Sequence, residues 1–222
     1  MKHFELTDET TEFGGIVLHR IRALVDLPQH GVKAGDLGGW VDHEGNLGGT
    51  AWIGGDAQVS GNALVSGNAL VSGNALVSGG AHVSGDAHVC GNARVHGNAH
   101  VSDRATVRHD VEVHDHAFVG GDALLSGSAR VHGDALVCGH AWVHGHARVC
   151  GHARVHGNAW VWGHAIVDGR AEVFGYAGVF GDARVSGDAR VCGKSRVHGD
   201  ARVCGHARVH DETISSAVTV NQ

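Results

Sequence analysis

Proline is almost missing from this chain of 222 residues, occurring once, at Pro28. Glycine is abundant, at 36 residues, but it follows no G-X-Y period, which excludes a collagen helix. No apolar run approaches the length of a membrane span, so no membrane partner is expected. The first residues, MKHFELTDET, contain no apolar core of a secretory signal. The five cysteines (Cys90, Cys138, Cys150, Cys192 and Cys204) form no C-x-x-C pair. An odd number of thiols without a signal points to a reducing, cytoplasmic setting. A positive charge excess is also missing. The formal net charge is −6, so nucleic acid is not the expected partner. What is present in excess is histidine, at 21 residues. Protonating all of them would move the net charge from −6 to +15, so mild acid reverses its sign.

The glycines follow a strict period of six. From residue 55 to 205 the corner slot is Gly except at Asp103, His109 and Asp115. Two residues on, the slot from Ala57 to Ala207 is Ala except at Val111 and Ser195. The slot from Val59 to Val209 is Val except at Leu125, and no residue is inserted or lost over this length. Valine is β-branched and suits a strand. Alanine two positions earlier points to the same side. Gly-Asn and Gly-Asp favour turns with positive φ. Each hexad therefore reads as a short strand and a corner, with Val and Ala inside. The register extends back through Ile53, Leu47 and Val41. The expected organisation is a capping segment over 1–40, a β-solenoid over 41–210 and a C-terminal tail or cap over 211–222. Within the cap, Ile16 to Leu24 reads as a strand and Leu27 to Gly39 as a loop. In the tail, the register is lost at Ser215.

VSGNAL, repeated three times from Val59, resembles the hexapeptide repeat of left-handed parallel β-helix proteins. The resemblance covers about three-quarters of the chain. It implies an all-β triangular prism with about 18 residues per turn and about ten turns, some 48 Å long at ~4.8 Å per turn. LHRIRAL, AGDLGGWV and NLGGTAWIGGDAQV also resemble the front end of uncharacterised bacterial and prophage members often labelled acyltransferases. That family implies acetyl-CoA or another acyl-CoA as cofactor and a histidine base. No position here matches a catalytic motif, so no catalytic residue is assigned.

Adding 18 to a residue number gives its neighbour in the next coil, so the outward residues fall into columns. Leu124, Trp142 and Trp160 form one column, and His144, Trp162, Phe180 and His198 form its neighbour. Phe174 and Tyr176 are expected at the adjacent corner. This exposed aromatic face reads as a protomer interface, making the chain a homo-oligomer. A platform for stacking a sugar or base is the alternative. Arg94, Glu112, Arg130 and Arg148 form a charge ladder, as do Arg154, Glu172, Arg190 and Arg208. The arginine-rich end is interleaved with Asp182, Asp188 and Asp200, which favours a self-neutralised face over a phosphate site.

His96, His114 and His132, followed by Cys150, form a column that could hold a divalent metal, as could the corner pair His146 and His164. The plainer reading is that histidine tolerates outward strand positions and is copied whenever a repeat duplicates. The stretch Asp103 to Asp115 loses glycine at three successive corners and gathers Arg104, Arg108, His109, Asp110 and His114. Cys138 and Cys192 share a column three turns apart, ~14 Å, as do Cys150 and Cys204, too far for disulfides within one chain. Ice binding is excluded because Thr106 is the only outward threonine of the repeat body. The expectation is a non-enzymatic structural or interaction solenoid that self-associates through its aromatic face. A CoA-dependent acyltransferase is the first alternative, and metal-binding or pH-responsive assembly through histidine is the second. No small-molecule ligand can be named.

Overall fold

The computed structural model describes residues 2–215 and 219–221. Most hexads form a strand of two residues, the outward one and its valine, as in Trp160–Val161, and three near the C-terminal end, such as Arg190–Cys192, extend it by one. Each strand pairs in parallel with the one 18 residues on, so Trp142 faces Trp160 and Val143 faces Val161. Three hexads close one coil, and about ten coils stack into a parallel β-solenoid with three faces. Among the described residues these faces are sheets of 13, 10 and 9 strands. Face one contains Val59, Val77 and Val95. Face two contains Val71, Val89 and Val161. Face three contains Val65, Val83 and Val155.

The ladder fixes this arrangement. The N–H of each outward residue donates to a carbonyl of the next coil, as Trp160 does to Ala177 O at 2.9 Å. Corner residues join in, as Asn158 does to Gly175 O at 2.7 Å. The inward Val and Ala side chains are fully buried and form one continuous column of core. Two small side chains per strand keep the prism narrow.

The corner slot has positive φ throughout, which explains its glycine. At Gly157 φ is +70°, and a Cβ there would lie 3.0 Å from the Gly175 nitrogen. Asp103, His109 and Asp115 hold the same conformation, with φ of 59°, 64° and 61°. Their side chains reach the next corner instead. Asp103 Oδ2 accepts the Gly121 N–H at 2.7 Å, and Asp115 Oδ2 accepts the Gly133 N–H at 3.0 Å. The carboxylate thus satisfies a donor that the ladder leaves open, offsetting the strain of a side chain at positive φ.

The N-terminal end differs from the sequence-based expectation in two elements. β1 (Phe4–Phe13) is a strand, antiparallel to β2 (Ile16–Ala23). β2 pairs antiparallel with β3 (Leu37–Val41), which starts inside the expected loop and leads into face one. Phe4, Ile21, Ala23 and Leu27 add to the core. The first coil has no coil beneath it, so its carbonyls need other donors. His3 Nε2 lies 2.9 Å from Ala51 O and His30 Nε2 lies 3.0 Å from Thr50 O.

At the other end the stack continues past His210. Cys192 still pairs with His210, 18 residues on, but Arg196 pairs with Thr213, 17 residues on. The lost residue is the inward alanine slot after the Asp211 corner, ahead of Ser215. Ser195 compensates. It is fully buried, its hydroxyl donates to Cys192 O at 2.6 Å, and it accepts the Glu212 N–H at 3.4 Å. Thr219–Asn221 then stacks on Arg202–Cys204. Residues 216–218 of the expected tail lie outside the described residues.

The corner argument predicts an order of stabilities. Asp103→Ala keeps the strain and removes the acceptor, so it should cost about 1–3 kcal/mol. Asp103→Gly removes both and should cost less. Urea unfolding of the two variants checks this, and a greater loss in the glycine variant would contradict it.

Candidate functional site: an aromatic groove and two polar columns

The inward slots are uniform, so chemistry has to be read from the outward ones. On face two the slot before valine runs Thr106, Leu124, Trp142, Trp160, Gly178 and Arg196 up the column. The slot after valine carries a stack of four rings. His144 and Trp162 are parallel at 5.7 Å, Trp162 and Phe180 at 4.8 Å, and Phe180 and His198 at 4.9 Å. The corner before each strand carries Asn158, Tyr176 and Lys194 in successive coils.

Gly178 interrupts the first column. Its missing side chain leaves a groove of about 590 Å³ between Trp160 below and Arg196 above. Trp162 and Phe180 form one wall, and Tyr176, Lys194 and Asn158 form the other. Trp160 is 52% exposed and Tyr176 is 69% exposed, in a fold whose outer slots are otherwise mostly polar. The groove is therefore apolar and aromatic at its centre and cationic at its upper rim.

The expected aromatic residues divide into two groups. Trp160, Trp162, Tyr176 and Phe180 line the groove. Trp142 lies one coil below, edge-on to Trp160 at 5.8 Å, and its buried indole N–H has no acceptor. Leu124 lies one coil below Trp142. Phe174 belongs to face three, on the far side of the corner. It stacks on His156 at 5.2 Å and carries the Arg190 guanidinium at 5.2 Å from its ring. Asn158, Gly178 and Lys194 were not anticipated, and Arg196 was expected only as part of the arginine-rich end. The signal for the groove was Gly178, the one glycine in the slot before valine between Gln58 and Arg208.

The histidine columns also resolve. His96, His114 and His132 are parallel, with ring separations of 5.1 and 4.8 Å. His96 turns its Nε2 to Glu112 at 3.3 Å. His114 Nδ1 lies 3.2 Å from the Asp115 carboxylate, and His132 Nδ1 lies 3.9 Å from it. The His114 contact and the Gly133 N–H together hold the Asp115 carboxyl below its usual range. Burial and then the neighbouring His114 charge lower the His132 imidazole. His146 and His164 stack at 5.0 Å. Cys150 stands apart from the His114 group, with its thiol pushed up by burial and then by Asp168. All five cysteines are free thiols.

The charge ladders form two matching triads. Glu112 joins His96 at 3.3 Å to Arg130 at 3.4 Å on face one. Glu172 joins His156 at 3.0 Å to Arg190 at 2.8 Å on face three. The arginine-rich end is only partly neutralised. Arg184 pairs with Asp168 and Arg190 with Glu172, while among the described residues Arg196, Arg202 and Arg208 form no ion pair and the interleaved Asp188 meets His206 at 3.7 Å instead of an arginine.

A family model described as YdcK beta solenoid repeat matches residues 57–72, 69–85, 87–103, 147–163 and 183–199. Those stretches are similar to YdcK repeats. A comparison with curated proteins finds no match. Residues 104–146 and 164–182 fall between the matched stretches. The first gap holds His114, Asp115 and His132, and the second holds Tyr176, Gly178 and Phe180. The cluster of His114, Asp115 and His132 thus lies outside the matched stretches, and the groove lies partly inside them, through Asn158, Trp160, Trp162, Lys194 and Arg196. Among the described residues, no helix is long and apolar enough to cross a membrane.

Glu172 gives a pH prediction. Burial raises its pKa, but the His156 hydrogen bond and the Arg190 charge outweigh it, so the folded-state value lies below the ordinary 4.5. Its contribution is then complete above pH 4.5 and is lost as the pH falls through the depressed value. Glu172→Gln should cost about 1 kcal/mol near pH 6 and less at a pH below its depressed folded-state value. Thermal unfolding at both pH values tests this, and an undiminished difference at the lower pH would refute it.

Proposed function

We propose that this chain is a non-enzymatic interaction solenoid that associates with a second copy of itself through the aromatic groove and the column below it. The observation that carries this reading is the exposure of Trp160 and Tyr176 around a groove built from four aromatic side chains. A cluster of exposed aromatic rings of this kind is the usual mark of a contact surface, and it differs from the exposed Val17 and Leu37 near the N-terminus in lining a groove. The columns of successive coils are in register, so a second copy can lie along the same strip. Symmetric packing then uses each exposed ring twice.

Charge supports an antiparallel pair. With Trp160 at the centre, the corner column places Lys194 two coils to one side and Asp122 two coils to the other. Reversing one rod brings Lys194 of one copy opposite Asp122 of its partner, and Arg196 opposite Leu124. The cationic rim then meets Leu124 and an Asp122 carboxylate that Arg104 already holds at 2.7 Å, rather than an unpaired cation.

An acyltransferase reading has less support. The hexads between Trp52 and His210 keep one length, so no loop stands out from the coils to shape an acceptor pocket. Light scattering distinguishes the two. The chain should exceed its monomer mass of 23.0 kDa, and Trp160→Ser combined with Tyr176→Ser should return it to that mass. A monomeric parent, or an unchanged mass in the double variant, would sink the self-association reading. Saturable acetyl-CoA binding by calorimetry would put the enzyme in its place.

A further inference from the structure

We propose that His114, Asp115 and His132 form a binding site for a divalent transition-metal ion on the outside of the solenoid. Their ligand atoms, two imidazole nitrogens and one carboxylate oxygen, all lie within 4.8 Å of one another. Imidazole and carboxylate together suit zinc and its neighbours in the first transition row. Ligand bonds of about 2.0–2.2 Å to zinc require donors closer together than this. Small rotations of exposed side chains supply the difference, and no backbone movement is required.

The fold prepares the site in three ways. First, the coil register places His114 and His132 one above the other, with parallel rings 4.8 Å apart. Second, Asp115 occupies a corner slot that is glycine in most coils, so its carboxylate emerges beside both rings. Third, the Gly133 N–H holds Asp115 Oδ2 at 3.0 Å, which orients the carboxylate as an outer-sphere donor orients a metal ligand. Glu112 holds Arg130 at 3.4 Å and draws His96 away, which leaves Arg148 as the neighbouring cation an ion must tolerate. Asp115 is exposed, so an ion held by three protein ligands keeps an open position for water.

Stacked histidines alone do not make such a site. His146 and His164 stack as closely, at 5.0 Å, but no carboxylate joins them within the same distance. They serve as the internal control. In the full chain with twenty-one histidines, the third ligand decides where an ion settles.

The test is calorimetric titration of the full chain with zinc chloride, followed by light scattering. The expected result is one saturating zinc per chain with no change in mass. Asp115→Gly restores the ordinary corner residue, so it keeps the fold while removing the carboxylate. It should weaken binding at least about tenfold, as should His132→Gln, whereas His146→Gln should leave it unchanged. Unsaturable heat, or an Asp115→Gly variant that binds zinc as the parent does, would overturn the proposal. So would one zinc per two chains with a rising mass, which places the ligands between copies.

Discussion

The constraint on which this molecule depends is the left-handed corner that recurs every six residues. Each corner turns the chain by one face, gives its C=O to an N–H of the neighbouring coil and leaves its own N–H outside the ladder. Glycine meets that requirement at least cost, because a Cβ at Gly157 would crowd the Gly175 backbone. The three successive exceptions show what else can satisfy it. Asp103 and Asp115 bring a carboxylate that accepts the next corner's N–H, and His109 Nδ1 lies 3.5 Å from the Gly127 nitrogen. A side chain is tolerated there when it replaces an interaction rather than merely occupying space.

From the fixed corner comes a fixed coil, and from the fixed coil come columns. Residues 18 apart stand directly above one another, at a spacing close to that of stacked rings. Repeat duplication therefore produces ring stacks with no further adjustment, as at His146 and His164 or His82 and His100. Such stacks by themselves say little about function. The informative positions are those where a column is broken. Gly178 opens a groove because its neighbours in the column are Trp160 and Arg196. Asp115 creates a cluster because its equivalents elsewhere are glycine. In both cases a small residue and a large one have changed places relative to the coils around them.

Much of this was legible in the sequence. The alternation of inward Val and Ala gives the solenoid, and adding 18 gives every column, including Trp142 beneath Trp160 and the stacked His96, His114 and His132. The parts that were not legible have physical causes. β1 has the polar sequence FELTDETTEF, and its strand is set by pairing with β2 rather than by its own pattern. The one-residue loss near Asp211 is hidden because Thr213 and Ile214 restore the strand pattern one residue early. Ser195 was visible as an exception, but its purpose depends on the Glu212 N–H that the loss exposes. Column arithmetic also does not say to which side of a corner a ring leans. Phe174 and Tyr176 are two residues apart, yet one stacks on His156 and the other faces the groove.

A binding surface on such a rod is necessarily shared between coils. Each coil offers a face only two outward residues, separated by an inward valine, so no single hexad surrounds a ligand. The groove draws on three successive levels, with Asn158 to Trp162, Tyr176 to Phe180, and Lys194 to Arg196. The His114 cluster draws on two. Copying one repeat therefore extends a column but does not by itself create a site. A site needs at least two neighbouring coils to depart from the pattern together while the ladder beneath them stays intact. The ladder supplies positions held to within the spacing of a hydrogen bond, and this rigidity lets so few substitutions converge. It also places the groove and the His114 cluster on open surfaces of the single chain, where each can be completed only by what comes to lie against it.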